Sequence, residues 1–196
     1  ELSSARIFIR VFKKEKELEI WAKAPGQGKY TLIKTYDICA SSGGLGPKRK
    51  QGDGQVPEGF YEINCFNPSS NFYLSLGISY PNTSDRILGK KGNLGGEIFI
   101  HGNCVTIGCM PLTDDKIKEV YLMAVDAKSN GQAKIPVHIF PSRMNEKDLQ
   151  LIENEFKDDV NLISFWKNIQ KGYEIFETKK ELPEVSVSKS GEYLFN

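Results

Sequence analysis

The sequence predicts a mainly β protein of the α+β class, with one helix behind a chemically loaded loop and a helical C-terminal extension. Three observations predict it. Short segments between residues 5 and 101 alternate apolar and polar side chains and are separated by turn-forming residues. A helical repeat follows directly after a Gly108-Cys109 turn. Two more helical stripes occupy the last third of the chain.

Ala5 to Phe12 alternates, breaks at the charged turn Lys13 to Glu17, and resumes in Leu18 to Ala22, which predicts a hairpin. Tyr30 to Ala40 supplies a third strand through Leu32, Ile33, Tyr36 and Ile38. Residues 41–55 are rich in Gly and Lys without periodicity, and read as a long loop of the kind that often carries function. Pro57-Glu58-Gly59 turns into a strand from Phe60 to Phe66, followed by another from Phe72 to Ile78. Pro81 to Asp85 reads as a turn cluster.

Glu97 to His101 is a short apolar strand ending on a histidine, and residues 102–111 form a loop. Thr113-Asp114-Asp115 supplies a helix cap and two first-turn acids, with Ile117, Val120, Tyr121, Ala124 and Val125 at helical spacing. Ile135 to Phe140 is a strand stopped by Pro141. Leu149, Ile152 and Phe156 mark one helix over residues 145–157; Phe165, Trp166, Ile169 and Tyr173 mark another over 161–176. Beyond Pro183 the chain reads as an extended tail. Residues 1–142 are therefore expected to form a core and 143–196 to pack on it within one structural domain.

A chain of 196 residues can bury one sizeable core. With 26 Lys+Arg against 25 Asp+Glu the net charge is +1, which argues against nucleic acid or an anionic membrane as partner. Lys48-Arg49-Lys50 reads as a solvated loop. No run approaches the ~20 apolar residues of a membrane span. The chain starts at Glu1 without Met, so an export signal is expected to have been removed by processing. Four cysteines are too few for a disulfide scaffold, and none shows CxxC spacing. Cys39 and Cys65 lie on predicted strands and read as buried packing residues.

The chemistry concentrates in residues 100–111. A thiol attacks as its thiolate, so a catalytic cysteine needs a base or a positive field beside it. His101, at a strand end, is rigidly placed to face Cys109, and the helix starting near Thr113 aims its positive end back at the sulfur. Such a cysteine is expected to react well below the ordinary thiol pKa of ~8.5. Gly108 permits a sharp turn, and the backbone N–H groups of Gly108 and Cys109 are candidate oxyanion donors. Three other readings stay open on the residues alone: a buried inert thiol, a zinc site of His101, Cys104 and Cys109, and a Cys104–Cys109 disulfide. His138, in an apolar strand, reads as a core or edge histidine rather than a second base.

The run from His101 to Cys109 resembles the signature of the YkuD-type L,D-transpeptidase catalytic domain family, a His-Gly followed by Ser/Thr-x-Gly-Cys. Its short His-to-Cys spacing resembles the YafK-like branch. Gly52-Asp53, Pro57 to Ile63, Ser79 to Asn82 and Ile135 to Pro141 agree, so the resemblance covers residues 5–142 well and the Phe165-Trp166 helix loosely.

The resemblance implies a YkuD-like β-rich catalytic core in the periplasm or cell envelope, acting on peptidoglycan stem peptides without a cofactor or metal. The attacked amide is the one after the L-centre of diaminopimelate or another third residue. Cys109 would be the nucleophile, His101 the base, Gly102 its orienter, and Gly108 with Cys109 the oxyanion hole. Tyr80, Asn103, Thr106 and Lys48 would contact substrate. Transfer, hydrolysis of a crosslink, release of an anchored envelope protein and a non-catalytic peptidoglycan-binding role are all compatible with this fold. Two departures matter: Met110-Pro111 stands where the family usually has Arg or Asn, and Ile107 where a histidine often precedes Gly-Cys.

Overall fold

A computed structural model describes residues 4–196; residues 1–3 of the expected core lie outside the described residues. Strand β1 (Arg6–Phe12) is the organiser, because both of its faces are covered. Ile7, Ile9 and Val11 point to one side and Phe8, Arg10 and Phe12 to the other, as the two-residue period of a strand requires. None of the six is more than 4% exposed. β1 pairs antiparallel with β2 (Glu17–Lys23), which pairs with the edge strand β3 (Thr31–Asp37).

On its other side β1 runs parallel to β8 (Pro136–Phe140), which pairs antiparallel with β4 (Gly59–Ser70). The sheet continues through β5 (Tyr73–Ile78), β6 (Phe99–His101) and β7 (Met110–Pro111), giving the order β3-β2-β1-β8-β4-β5-β6-β7. The helix α2 (Asp114–Ser129) buries Ile117, Val120, Tyr121 and Ala124 against the Ile7–Ile9–Val11 face. Thr113 is its N-cap, but its side chain makes no capping hydrogen bond.

The opposite face is covered by the C-terminal helices. α3 (Glu146–Glu155) starts at Asn145, whose side chain accepts the Asp148 N–H. α4 (Val160–Lys179) starts at Asp159, whose side chain accepts the Leu162 N–H. It buries Phe165, Trp166, Ile169, Gly172, Tyr173 and Phe176, a helical stripe, against the aromatic side chains of β1 and β8. A fully buried aromatic of this kind contributes about 1.5–3 kcal/mol. Gly172 is required by close approach: a Cβ there would stand 2.6 Å from the Phe60 ring.

Several expectations are corrected. Arg10, which the alternation assigns outward, is 2% exposed. It bonds Glu19 and Glu177 and lies against the rings of Phe12, Trp21, Tyr173 and Phe176, because α4 covers what would otherwise be the wet face. The predicted turn at 81–85 contains the start of a short helix, α1 (Thr83–Leu88), held by a capping box between Asn82 and Asp85. The tail forms a hairpin of β9 (Val185–Val187) and β10 (Tyr193–Phe195), docked by Asn82 Nδ2 donating to Tyr193 Oη at 2.8 Å. Cys65 is exposed rather than buried, since β4 bulges between Ile63 and Cys65 as it leaves the core.

Candidate active site

The chemically loaded loop is closed by a parallel pairing that its sequence does not advertise. β6 and β7 align Ile100 with Met110 and His101 with Pro111, and just before this pairing the Phe99 N–H donates to Cys109 Sγ. Ile100 and Met110 point into the core, at 0% and 1% exposure. The pleat therefore directs Phe99 and His101 to the other face, and the bend that carries Cys109 enters the pairing beside Phe99. Among the described residues no hydrogen bond joins the His101 and Cys109 side chains.

His101 is 2% exposed, and its ring lies 4.6 Å from that of Phe72. Its Nδ1 lies 2.5 Å from the carbonyl oxygen of Gly102. A carbonyl only accepts, so Nδ1 carries the proton and Nε2 keeps its lone pair. Burial lowers the imidazole pKa, and the Gly102 bond offsets part of that. Gly102 has no room for a side chain, because a Cβ would stand 2.7 Å from Asp114 Oδ1 and 2.8 Å from Phe72 O. Asp114 Oδ1 also accepts the Asn103 N–H at 2.9 Å, so the start of α2 pins the turn after the histidine.

The Cys109 sulfur lies 3.4 Å from the Phe99 N–H that donates to it, and 3.7 Å from the Glu97 carbonyl. Burial pushes its pKa up; the Phe99 N–H and the Lys48 ammonium pull the other way, and Glu97 adds to the rise. The direction is opposite to the depressed thiol expected from the sequence, and desolvation is its largest cause.

The expected oxyanion donors are occupied. The Gly108 N–H donates to Ser42 Oγ at 2.6 Å, and that hydroxyl donates on to Gly54 O. The Cys109 N–H donates to Thr106 Oγ1 at 2.8 Å, while the same hydroxyl donates to the Cys109 carbonyl. Gly108 adopts φ +99°, a conformation that favours glycine.

With the fold and this geometry in view, comparison with known proteins places the chain. The family model described as the L,D-transpeptidase catalytic domain, YkuD, matches residues 7–139. The chain belongs to the YkuD family. It is 37% identical over 190 residues to "Putative L,D-transpeptidase YafK" of Escherichia coli (strain K12), covering 95% of this chain and 73% of that protein. The same figures hold for the protein of that name in Escherichia coli O157:H7. The fold is similar to that of the helical cell shape determining protein Pgp2 from Campylobacter jejuni, with a TM-score of 0.56 at 21% identity. That match covers 94% of this chain and 73% of the other.

In this YkuD chain the remaining sequence-predicted residues fall in unequal places. Lys48 is not solvated: it is 5% exposed, bonds Asp53 at 2.8 Å, and acts on Cys109 through its charge alone. Arg49 pairs with Asp85 and lies over the Phe165 ring. Tyr80 is buried, with its hydroxyl donating to Leu94 O at 3.1 Å, so it packs rather than faces a ligand. Asn103 is an exposed turn residue at φ 57°. Thr106 staples the loop before Cys109 through its hydroxyl. His138 is 4% exposed among phenylalanine rings and remote in role from Cys109.

Cys39 and Cys104 form a disulfide, overturning both the buried-thiol reading of Cys39 and the Cys104–Cys109 pairing, and leaving Cys109 free. Cys104 is thereby withdrawn from the zinc alternative. Among the described residues no helix is long and apolar enough to cross a membrane. Sequence reasoning missed Phe72 beside the histidine, Ser42 on the Gly108 amide, and a cavity of about 350 Å³ that opens on Cys109 between the 40–45 loop, the β1–β2 turn and the end of α3. None has a local sequence signal, since each meets the site through the fold.

Proposed function

We propose that this protein is a cysteine-dependent L,D-transpeptidase-type enzyme that acts on peptidoglycan stem peptides in the periplasm or cell envelope. The observation that carries the reading is the His101–Gly102 contact. It fixes the tautomer that leaves Nε2 as a base on the strand whose Phe99 N–H bonds Cys109.

In this mechanism the Cys109 thiol proton passes to His101 Nε2 as the sulfur attacks the amide carbonyl after the L-centre of the third stem residue. A C–S bond forms and the carbonyl π pair moves to oxygen. The oxyanion takes the places of the Ser42 and Thr106 hydroxyl oxygens on the Gly108 and Cys109 amides, a donor set of which each member contributes about 3 kcal/mol. The imidazolium then protonates the departing amine as the C–N bond breaks. An amine or water resolves the thioester, with His101 taking its proton. An envelope protein linked through such an amide is a further substrate or acceptor.

Incubation with purified disaccharide tetrapeptides, followed by product mass spectrometry, tests this. Dimers indicate transfer, and shortened monomers indicate hydrolysis. Product formation unchanged in Cys109→Ser would remove the proposal.

A further inference from the structure

A second and larger cavity, of about 600 Å³, lies between the 45–49 loop, the first turns of α4 and the β9–β10 turn. Leu45 lines both this cavity and the one that opens on Cys109, so the two adjoin. They also connect around the α3–α4 junction. Glu155 and Phe156 border the Cys109 cavity and a shallow depression, which in turn shares Asp159 and Asn161 with the larger one.

Each wall is pinned before any ligand arrives. The Gly46 N–H donates to Glu58 at 2.7 Å and the Arg49 N–H to Asp53 at 2.9 Å, which fixes the loop. Asn168 bonds both the N–H and the carbonyl of Tyr193, at 2.8 and 2.9 Å, and so docks the terminal hairpin on α4. The Ser84 hydroxyl donates to the Gly191 carbonyl in the β9–β10 turn. A cavity fixed in this way loses little freedom when a ligand enters.

The lining mixes apolar surface with uncommitted polar groups. Asn161, Ser164, Phe165 and Asn168 recur at helical spacing on one face of α4. The Asn161 and Ser164 side chains make no hydrogen bond among the described residues. The Arg49 guanidinium gives one N–H to Asp85 and lies over the Phe165 ring. Asp159 and Glu192 have no cation within 4.0 Å among the described residues. These two carboxylates disfavour an anion, and a plain cation would leave the Asn161 and Arg49 N–H groups without an acceptor. A neutral ligand rich in hydroxyl and amide groups gives donors to the acids and acceptors to the N–H groups. The C–H face of a sugar ring suits Leu45, Leu88 and Leu162.

We propose that this cavity binds the neutral N-acetylated saccharide to which the stem peptide is joined. The inference rests on the proposed stem-peptide chemistry. With the third-residue carbonyl at Cys109, the peptide back to the sugar is three residues, at most about 10 Å when extended, which suits adjoining cavities. The C-terminal extension then has a task, because α4 and the terminal hairpin supply two walls of the saccharide site.

Calorimetry on Cys109→Ala tests this with three probes: a disaccharide tetrapeptide, the same tetrapeptide with an N-acetyl group in place of the sugar, and the disaccharide carrying alaninamide alone. The disaccharide tetrapeptide is expected to bind about tenfold tighter than the sugar-free one, as one or two hydrogen bonds to a neutral ligand give. The disaccharide alaninamide should bind by itself and shift the amide resonances of residues 161–168. Ser164→Trp fills the cavity from an exposed helix position and should bring the ratio to about one. Asn161→Ala, which only removes an amide, should lower it about threefold. Both variants should melt within a few degrees of the parent.

Equal Kd values for the two tetrapeptides, or a ratio that survives both substitutions, would overturn the saccharide site. Acylation of wild-type Cys109 by both tetrapeptides with no resonance shift from the disaccharide would also overturn it, and would leave the cysteine chemistry standing. Saccharide binding lost in Ser164→Trp, with no acylation of the wild type, would support the site and overturn the proposed chemistry instead.

Discussion

Glu58 is the hub through which the helical extension, the 41–55 loop and the β1–β2 turn are joined, and Glu58→Ala should be severely destabilising. The carboxylate is 0% exposed. One oxygen accepts from Lys13 Nζ at 2.9 Å and from the Gly46 N–H at 2.7 Å; the other accepts from Trp166 Nε1 at 2.8 Å. Truncation leaves a nearly buried ammonium with only the Gly46 and Val56 carbonyls, and orphans two N–H donors. Removing one partner of a buried pair costs about 3–5 kcal/mol, and an orphaned buried donor about 1–3 kcal/mol. Because two carbonyls and the neighbouring cavity soften the loss, the net cost should be about 4 kcal/mol. For a chain of this size that lowers Tm by about 8–16 °C. Urea unfolding followed by both circular dichroism and tryptophan fluorescence measures it. Glu58→Gln, which keeps the volume and one acceptor, should lose about half as much. A loss below about 1 kcal/mol for alanine, or equal losses for the two variants, would refute the hub.

Four further outcomes follow from named contacts. Reducing Cys39–Cys104, or replacing both by serine, should cost about 2–4 kcal/mol, because the bond closes a loop of 65 residues; calorimetry with and without reductant reads it. Buried His138 has its pKa lowered to about 3 by desolvation and, secondarily, by Arg10. Between about 6.5 and 3 the unfolded chain binds the proton and the folded one does not, so acidification costs up to ~1.4 kcal/mol per pH unit. Asp85, raised to about 6, acts in the opposite direction below that pH, so the difference between wild type and His138→Phe isolates the histidine: the variant should lose less stability in acid. Alkylation of Cys109 by iodoacetamide should rise only above the ordinary thiol range of ~8.5, because burial raises the thiol pKa; a plateau below pH 7 would contradict that direction. Thr106→Val should cost about 1–3 kcal/mol of stability by unpairing the Cys109 amide and carbonyl in the resting protein; urea unfolding beside wild type reads it.

The central strands and the three long helices were legible because each has a local period: the Ile7–Ile9–Val11 alternation and the Phe165–Tyr173 stripe mark their own buried faces. The His101–Cys109 segment was legible for a different reason, since its residue types are scarce and close in sequence. What escaped depends on partners distant along the chain. Arg10 is buried because α4 lies over it, some 160 residues later, and Lys48 because Asp53 and the Tyr80 ring lie against it. Cys39 and Cys104 carry no mutual signal until the end of β3 meets the loop after His101. β7 has two residues and no period of its own, yet its register with β6 is what brings the Cys109 bend against the strand that carries His101. The occupied amides of Gly108 and Cys109 reflect hydroxyls that only the folded loops bring close.

Intact-protein mass spectrometry during incubation with purified disaccharide tetrapeptide, wild type beside Cys109→Ala, tests the central claim most directly. The account predicts a transient adduct on the wild type, equal in mass to the substrate less its terminal residue and confined to the peptide containing Cys109. The alanine variant should show neither adduct nor product. Equal product formation by both proteins, or product from the wild type with an adduct on any other residue, would contradict it.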